Sequence, residues 1–196
     1  MLEMPIIVHA DSVQPQFWRN GGGQTRELLA LPAGPDWSVR ISRADIDRDG
    51  PFSPFAGVER WFTVLHGAGV VLGFADRDLT LRPGDAPACF DGDAAPGCRL
   101  LDGATQDLNL MVRGGTGFMR AVQPAAPWQQ PCAMRGIYTS MTGQMRDGQQ
   151  TWHLPAHTLL WMQGGGSAAW AFEPDSDPAH FPGGAWWLGV RAWVRA

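Results

Sequence analysis

An all-β architecture, sandwich or barrel, is what this sequence predicts, and three observations carry it. Glycine and proline, 25 and 16 of 196 residues, make up about a fifth of the chain. That is well above ordinary usage and below the level of disordered chains, and so much punctuation leaves little room for long helices. Short apolar or alternating runs recur along the whole chain, each closed by a Gly/Pro/Asp cluster such as Asp49-Gly50-Pro51, Pro83-Gly84-Asp85 or Asp91-Gly92-Asp93, as in proteins built from many short strands. Helical periodicity is nearly absent; one helical turn, capped by Asp11 or Ser12, fits the stretch Asp11–Trp18.

In order, the strand candidates are Pro5–Ala10, Thr25–Ala30, Ser38–Ala44, Trp61–His66, Gly69–Phe74, Leu79–Leu81, Pro87–Phe90, Cys98–Leu101, Leu108–Arg113 and Met119–Val122. The second half adds Ala133–Thr139, Thr151–Leu154, Thr158–Met162, Ala168–Phe172 and Ala185–Val194. A faint repeat links the halves. Leu81–Phe90 and His153–Met162 both read strand, proline turn, apolar strand, and Pro83 and Pro155 lie 72 residues apart, as do Gly92 and Gly164. A two-unit repeat points to a duplicated barrel. The join falls in Gln123–Pro131, a stretch of linker composition, giving units 1–122 and 123–196 with strands free to cross over.

Composition excludes several functions. A net charge of −4 offers no electrostatic footprint for nucleic acid. All fifteen basic residues are Arg, which rules out lysine Schiff-base chemistry. Three cysteines without a CxxC pair argue against a disulfide framework or zinc site and for a reducing, cytoplasmic setting. The N-terminal stretch lacks a signal-peptide pattern, and no apolar run is long enough to span a membrane.

Four segments carry chemistry. In Phe17-Trp18-Arg19-Asn20-Gly21-Gly22-Gly23-Gln24-Thr25-Arg26-Glu27, three glycines can shape a loop or bring backbone N–H groups close to a ligand. In Trp37–Ala44, period-2 alternation puts Arg40, Ser42 and Ala44 on one face and Val39, Ile41 and Arg43 on the other. That polar face is either solvated or a barrel interior in which an Arg offers its fork to a carboxylate. Asp49–Phe55 is a turn with two aromatics, and Asp107 and Asn109 share a face in register with Met111.

Together these blocks, with Phe55-Ala56-Gly57-Val58-Glu59-Arg60, resemble the HutD/Ves family; the likeness is strong over the first 115 or so residues. It implies an all-β bicupin, two cupin/RmlC-like barrels of jelly-roll type from one chain, and a link to histidine utilisation. Metal-holding cupins use a His-x-His pair, a Glu and a third His. The corresponding stretch here, Gly57–Phe62, has no His pair; His9 and His66 stand alone, His153 and His157 flank a proline turn, and His180 falls in a loop. No metal and no cofactor are therefore expected.

The expected ligand site lies in the first barrel, on Trp18, Asn20, Gly22, Thr25, Arg26, Arg40, Ser42, Phe52, Arg60, Asp107 and Asn109. Arg40 and Arg60 are the expected anchors for an acidic group. Such a site suits a small carboxylate better than a large apolar ligand, and the histidine-utilisation link that the resemblance implies points to a small acidic metabolite: urocanate, formylglutamate or formiminoglutamate. Binding or regulation is expected rather than catalysis. The alternatives are a metal-independent isomerase or hydrolase with Asp107, Glu27 or Glu59 as base, and a protein–protein module or homodimer that uses the tryptophans of the second half.

Overall fold

Alternating burial along short strands organises the computed structural model, which describes residues 4–124, 126–148, 150–164, 168–177 and 184–193. Its strands in the first half are β1 (Ile6–His9), β2 (Gln16–Phe17), β3 (Gly23–Leu31), β4 (Val39–Ile46), β5 (Gly50–Pro51), β6 (Val58–His66), β7 (Val70–Gly73), β8 (Asp78–Leu81), β9 (Ala88–Asp91), β10 (Gly97–Leu100), β11 (Thr105–Arg113) and β12 (Gly115–Ala121). The second half adds β13 (Met134–Thr139), β14 (Gly143–Asp147), β15 (Gln150–Leu154), β16 (Thr158–Met162), β17 (Trp170–Pro174) and β18 (Ala185–Trp193). The helical turn expected near Asp11 is a 3₁₀ turn over Ala10–Ser12. Its N-cap is His9, without a side-chain cap, and Ser12 Oγ instead donates to the His9 carbonyl.

Four antiparallel sheets form, ordered β2-β3-β4-β11-β6-β9, β5-β10-β7-β8, β1-β16-β13-β18-β12 and β15-β14-β17. In the first half, Ile46, Phe62 and Val64 of the six-stranded sheet pack on Val70, Leu72, Leu81 and Cys98 of the four-stranded one. In the second, Ile137, Leu160 and Trp187 pack on Met145, Leu154, Trp170 and Phe172. The two large sheets then bury their outer faces against each other, with Val39, Ile41, Leu108 and Leu110 meeting Tyr138, Leu159, Trp161, Trp186 and Leu188. The result is two barrels joined back to back through an apolar seam, in which a one-residue slip would turn every buried side chain outward.

The internal repeat is visible in the topology. The strand order β4-β11-β6-β9 has its counterpart in β12-β18-β13-β16, and β10-β7-β8 in β17-β14-β15. Pro83 joins β8 to β9 and Pro155 joins β15 to β16, each linking a small sheet to a large one. The sheets do not follow a clean 1–122 and 123–196 division: β1 and β12 pair with the strands of the second half.

Among the described residues the interior of the second barrel is packed with large side chains. Trp128, from the segment that reads as a linker, stacks on Trp187 at 5.0 Å and 13° and meets Trp170 edge-on at 5.9 Å. It also bridges to Trp170 through the backbone. Trp128, Trp161, Trp170, Trp186 and Trp187 are thus core, as large aromatic surfaces favour.

Candidate functional site

The first barrel is not filled. A cleft of about 680 Å³ opens at the end of the barrel bounded by the Gln16–Asn20 segment and the Pro51–Phe55 loop. Strand register explains its lining. Asn109 lies opposite Ser42 and Phe62, Met111 opposite Arg40 and Arg60, and Asp107 opposite Ala44 and Val64. Every second residue of β4, β11 and β6 therefore faces the barrel interior, and three adjacent strands bring Arg40, Ser42, Asp107, Asn109 and Arg60 onto one wall.

Nine of the eleven expected residues line this cleft: Trp18, Asn20, Thr25, Arg40, Ser42, Phe52, Arg60, Asp107 and Asn109. Arg26 does not, and this corrects the expectation. It neighbours Thr25 in β3, so the two point to opposite faces. Its Nη1 reaches Asp45 Oδ2 at 3.0 Å, on the outer side of the sheet, where Asp45 also accepts from Gln24 and Gln106. Gly22 does not line the cleft either. Its carbonyl accepts from the amides of Asp47 and Arg48, and its amide donates to Asn20 Oδ1 at 3.0 Å. The glycine run is thus turn geometry. Gly21 sits at φ +66°, and a Cβ on Gly23 would lie 2.2 Å from the Asp45 carbonyl oxygen. The turn places Trp18 on the wall, where its Nε1 donates to Thr25 Oγ1 at 2.8 Å. Lining residues missing from the sequence-based expectation include Phe17, Arg19, Ala44, Phe55 and Met111.

Arg60 is the centre of the floor. It is 6% exposed, and its guanidinium lies 4.1 Å over the Phe52 ring and 5.6 Å from that of Phe90. Among the described residues its side-chain hydrogen bond runs from Nε to Asn109 Oδ1 at 2.8 Å, and no ion pair reaches it. Asn109 Nδ2 in turn donates to Asp107 Oδ1. Asp107 Oδ2 is closed off from solvent and has no partner. Burial is the main influence on both charged groups. It pushes Asp107 up to about 8, against the attraction of Arg60 and the Asn109 bond, and pushes Arg60 down to about 10. Burial thus favours the neutral form of Asp107, which weakens the acidic group beside the Arg60 cation.

Arg40 lies on the same wall, but its Nε is 2.7 Å from Glu27 Oε2. Its charge is compensated within the protein, so of the two expected anchors Arg60 is the one left free. Glu59 points away from the cleft. Its Oε1 accepts from Trp61 Nε1 at 2.9 Å and from the Gly117 amide at 2.7 Å, tying β6 to β12. Cys98 is buried, and its thiol is pushed up to about 12 by burial. His153 is exposed and 3.4 Å from Asp175, whereas His157 is half-buried in a turn; among the described residues no set of three His, Cys, Asp or Glu groups gathers at metal-holding geometry. His180 lies outside the described residues.

The second barrel has a counterpart of Arg60. Arg60 pairs with Phe90 across β6 and β9, and Arg135 pairs with Met162 across β13 and β16. Phe90 and Met162 are 72 residues apart, the spacing of the repeat. Arg135 is engaged within the protein through both Nη groups, while its buried Nε has no partner among the described residues. Its Nη1 donates to the Ala168 carbonyl at 2.8 Å, its Nη2 is 3.8 Å from Asp147, and its guanidinium lies 4.4 Å over Trp170.

Comparison with known proteins places the chain in a family and a fold. A family model described as HutD matches residues 10–181. An uncharacterized 21.2 kDa protein in the hutC 3' region of Pseudomonas putida is 42% identical over 110 residues, covering 54% of this chain and 56% of that protein. Protein Ves of Citrobacter koseri is 40% identical over 99 residues, covering 50% and 52%. The chain thus spans little more than half the length of these curated relatives. Among solved structures, a conserved protein of unknown function from Pseudomonas aeruginosa PAO1 matches at a TM-score of 0.79 and 27% identity, over 96% of this chain and 97% of that one. HutD from Pseudomonas fluorescens SBW25, in a formate condition, matches at 0.79 and 24%, over 96% and 98%. Oxalate decarboxylase of Bacillus subtilis matches at 0.63 and 8%, over 100% and 78%, a likeness of fold alone.

Proposed function

The chain belongs to the HutD family, and from that premise we propose that it is a non-catalytic receptor for a small carboxylate, linked to histidine utilisation. One observation carries the reading: Arg60 is buried on the floor of an open cleft and carries a charge that no described residue pairs. An unpaired buried charge is costly, and a carboxylate on its two Nη groups would supply the missing partner in bidentate geometry. The link to histidine utilisation is supported by the relative in the hutC 3' region. A catalytic reading would need a base in the cleft; Asp107 is the carboxyl there, and its free oxygen is closed off from solvent.

Calorimetric titration with urocanate, formylglutamate and formiminoglutamate, each against its uncharged amide, tests the proposal. The acids are expected to bind and the amides to bind at least tenfold more weakly. Equal affinity for acid and amide contradicts the reading, and turnover during the titration replaces a receptor by an enzyme. Arg40→Met is expected to weaken the acids only by about tenfold, the value of one charge-assisted hydrogen bond of about 1.5 kcal/mol, because Arg40 already serves Glu27.

A further inference from the structure

Asp107 and Arg60 sit on neighbouring strands of one floor, where a direct ion pair is the ordinary arrangement. Instead an amide separates them. Asn109 takes Arg60 Nε on its oxygen and gives its Nδ2 hydrogen to Asp107 Oδ1. This chain of three fixes two things. It fixes the amide's orientation, because the acceptor Asp107 forces the nitrogen of Asn109 toward itself and the oxygen toward Arg60. It also turns the edge of the guanidinium that carries Nε into the wall, which leaves the two Nη groups as the face Arg60 can offer to a ligand.

The second oxygen of Asp107 has no partner and no access to water, at a residue 1% exposed. A charge held there would be paid for in full desolvation. The surroundings do not offset it: Asp45 on β4 keeps its own charge, being held below the usual carboxylate range by the hydrogen bonds of Gln106 and Gln24 and the charges of Arg43 and Arg26 despite its burial. Cys98 on β10 is neutral, Arg40 on β4 is paired with Glu27, and among the described residues Arg60 on β6 is the cation facing Asp107 without an acidic partner of its own.

We propose that Asp107, acting through Asn109, is the positioning residue of the carboxylate site, and that an anion and the ionised form of Asp107 compete for Arg60, so that above neutral pH the site takes up one proton with each carboxylate it binds. The inference rests on the carboxylate reading of the same cleft. It makes the receptor sensitive to pH through a residue that does not itself touch the ligand. The sign follows from linkage: a group that must be protonated in the complex costs affinity only where it is ionised in the free protein. With Asp107 pushed up to about 8, affinity is level below that pH and falls by roughly tenfold for each unit above it. Arg60, pushed down only to about 10, stays charged over the range that matters.

The test is the affinity for acetate, followed by NMR titration of the wild-type protein, Asp107→Asn and Arg60→Met between pH 6.5 and 9, with acetamide as the uncharged control. Wild type is expected to bind acetate about tenfold more weakly at pH 9 than at pH 7. Asp107→Asn keeps an acceptor for Asn109 and cannot ionise, so whatever its affinity at pH 7, that affinity is expected to stay level up to pH 9. A level wild-type profile, or a fall that persists in Asp107→Asn, overturns the role of Asp107 while the carboxylate reading stands. Absence of acetate binding at every pH, or equal binding by Arg60→Met, overturns the carboxylate reading itself and the inference with it. A direct check that does not depend on the variant's folding is the ¹³C signal of aspartate carboxyls in the ligand-free wild type. One carboxyl is expected to titrate near pH 8 and to shift its midpoint upward in acetate; titration of every aspartate below pH 6 contradicts the proposal.

Discussion

Arg60→Met is expected to lower carboxylate affinity a hundredfold or more, whereas Arg135→Met, at the equivalent position of the second barrel, leaves it unchanged. Two charge-assisted hydrogen bonds at ~1.5–3 kcal/mol each make up the first figure. Stability should respond the opposite way. Arg60 is a buried cation without an acidic partner, so an apolar side chain of similar length removes a desolvation cost that offsets the lost donor to Asn109 and ring contacts, and the variant is expected to lose less stability than Arg135→Met. Arg135 holds the Ala168 carbonyl, faces Asp147 and stacks on Trp170. Its loss strands those groups and is expected to cost about 3 kcal/mol. Chemical denaturation and calorimetric titration of the two variants measure both halves. If Arg135→Met loses ligand, or Arg60→Met loses mainly stability, the division of labour between the barrels is wrong.

Trp170→Ala is expected to destabilise the protein by about 3–5 kcal/mol, the cost of deleting a buried large aromatic. Trp170 is fully buried, packs against Trp128 and Trp187, and forms the surface under Arg135. The effect should be confined to stability. The ring belongs to the core of the second barrel, on the far side of the inter-barrel seam from the cleft, so acid-versus-amide discrimination is expected to be kept at temperatures where the variant is folded. A thermal melt alongside a binding titration checks this; a melt within a few degrees of wild type would show that the tryptophan cluster is not the structural core of that half.

These contrasts bear on how much a sequence of this kind discloses. Period-2 alternation located the working faces of β4 and β11, because one side of each strand packs into the seam and must be apolar. Val39 and Ile41 therefore point one way and Arg40 and Ser42 the other. The same rule separates Thr25 from Arg26, yet both stand in the expected site: a sequence block that matches a family as a unit hides the alternation within it. Gly22 and Gly23 matter through the turn they permit rather than through contact. β14 escaped notice because Met145 is the lone large apolar side chain in Gly143–Asp147, its neighbours Gln144 and Arg146 being exposed. Trp128 sits in a stretch of linker composition and still plugs a barrel, since composition reports the average of a segment and a plug needs a single residue. The difference between Arg60 and Arg135 is not legible in sequence at all. Both are lone arginines at the start of a strand, and what separates them is whether a tryptophan, a carboxylate and a carbonyl from distant parts of the chain arrive to complete them.

The most direct test of the account is a crystal structure of the protein soaked with a small carboxylate at a concentration that saturates binding in solution. The account predicts the ligand in the first-barrel cleft, its carboxylate oxygens on the two Nη groups of Arg60, with Asn109 still bridging to Asp107 and the second barrel unchanged. A carboxylate held by Arg40, Arg19 or the second barrel, with the Nη groups of Arg60 untouched, would contradict it.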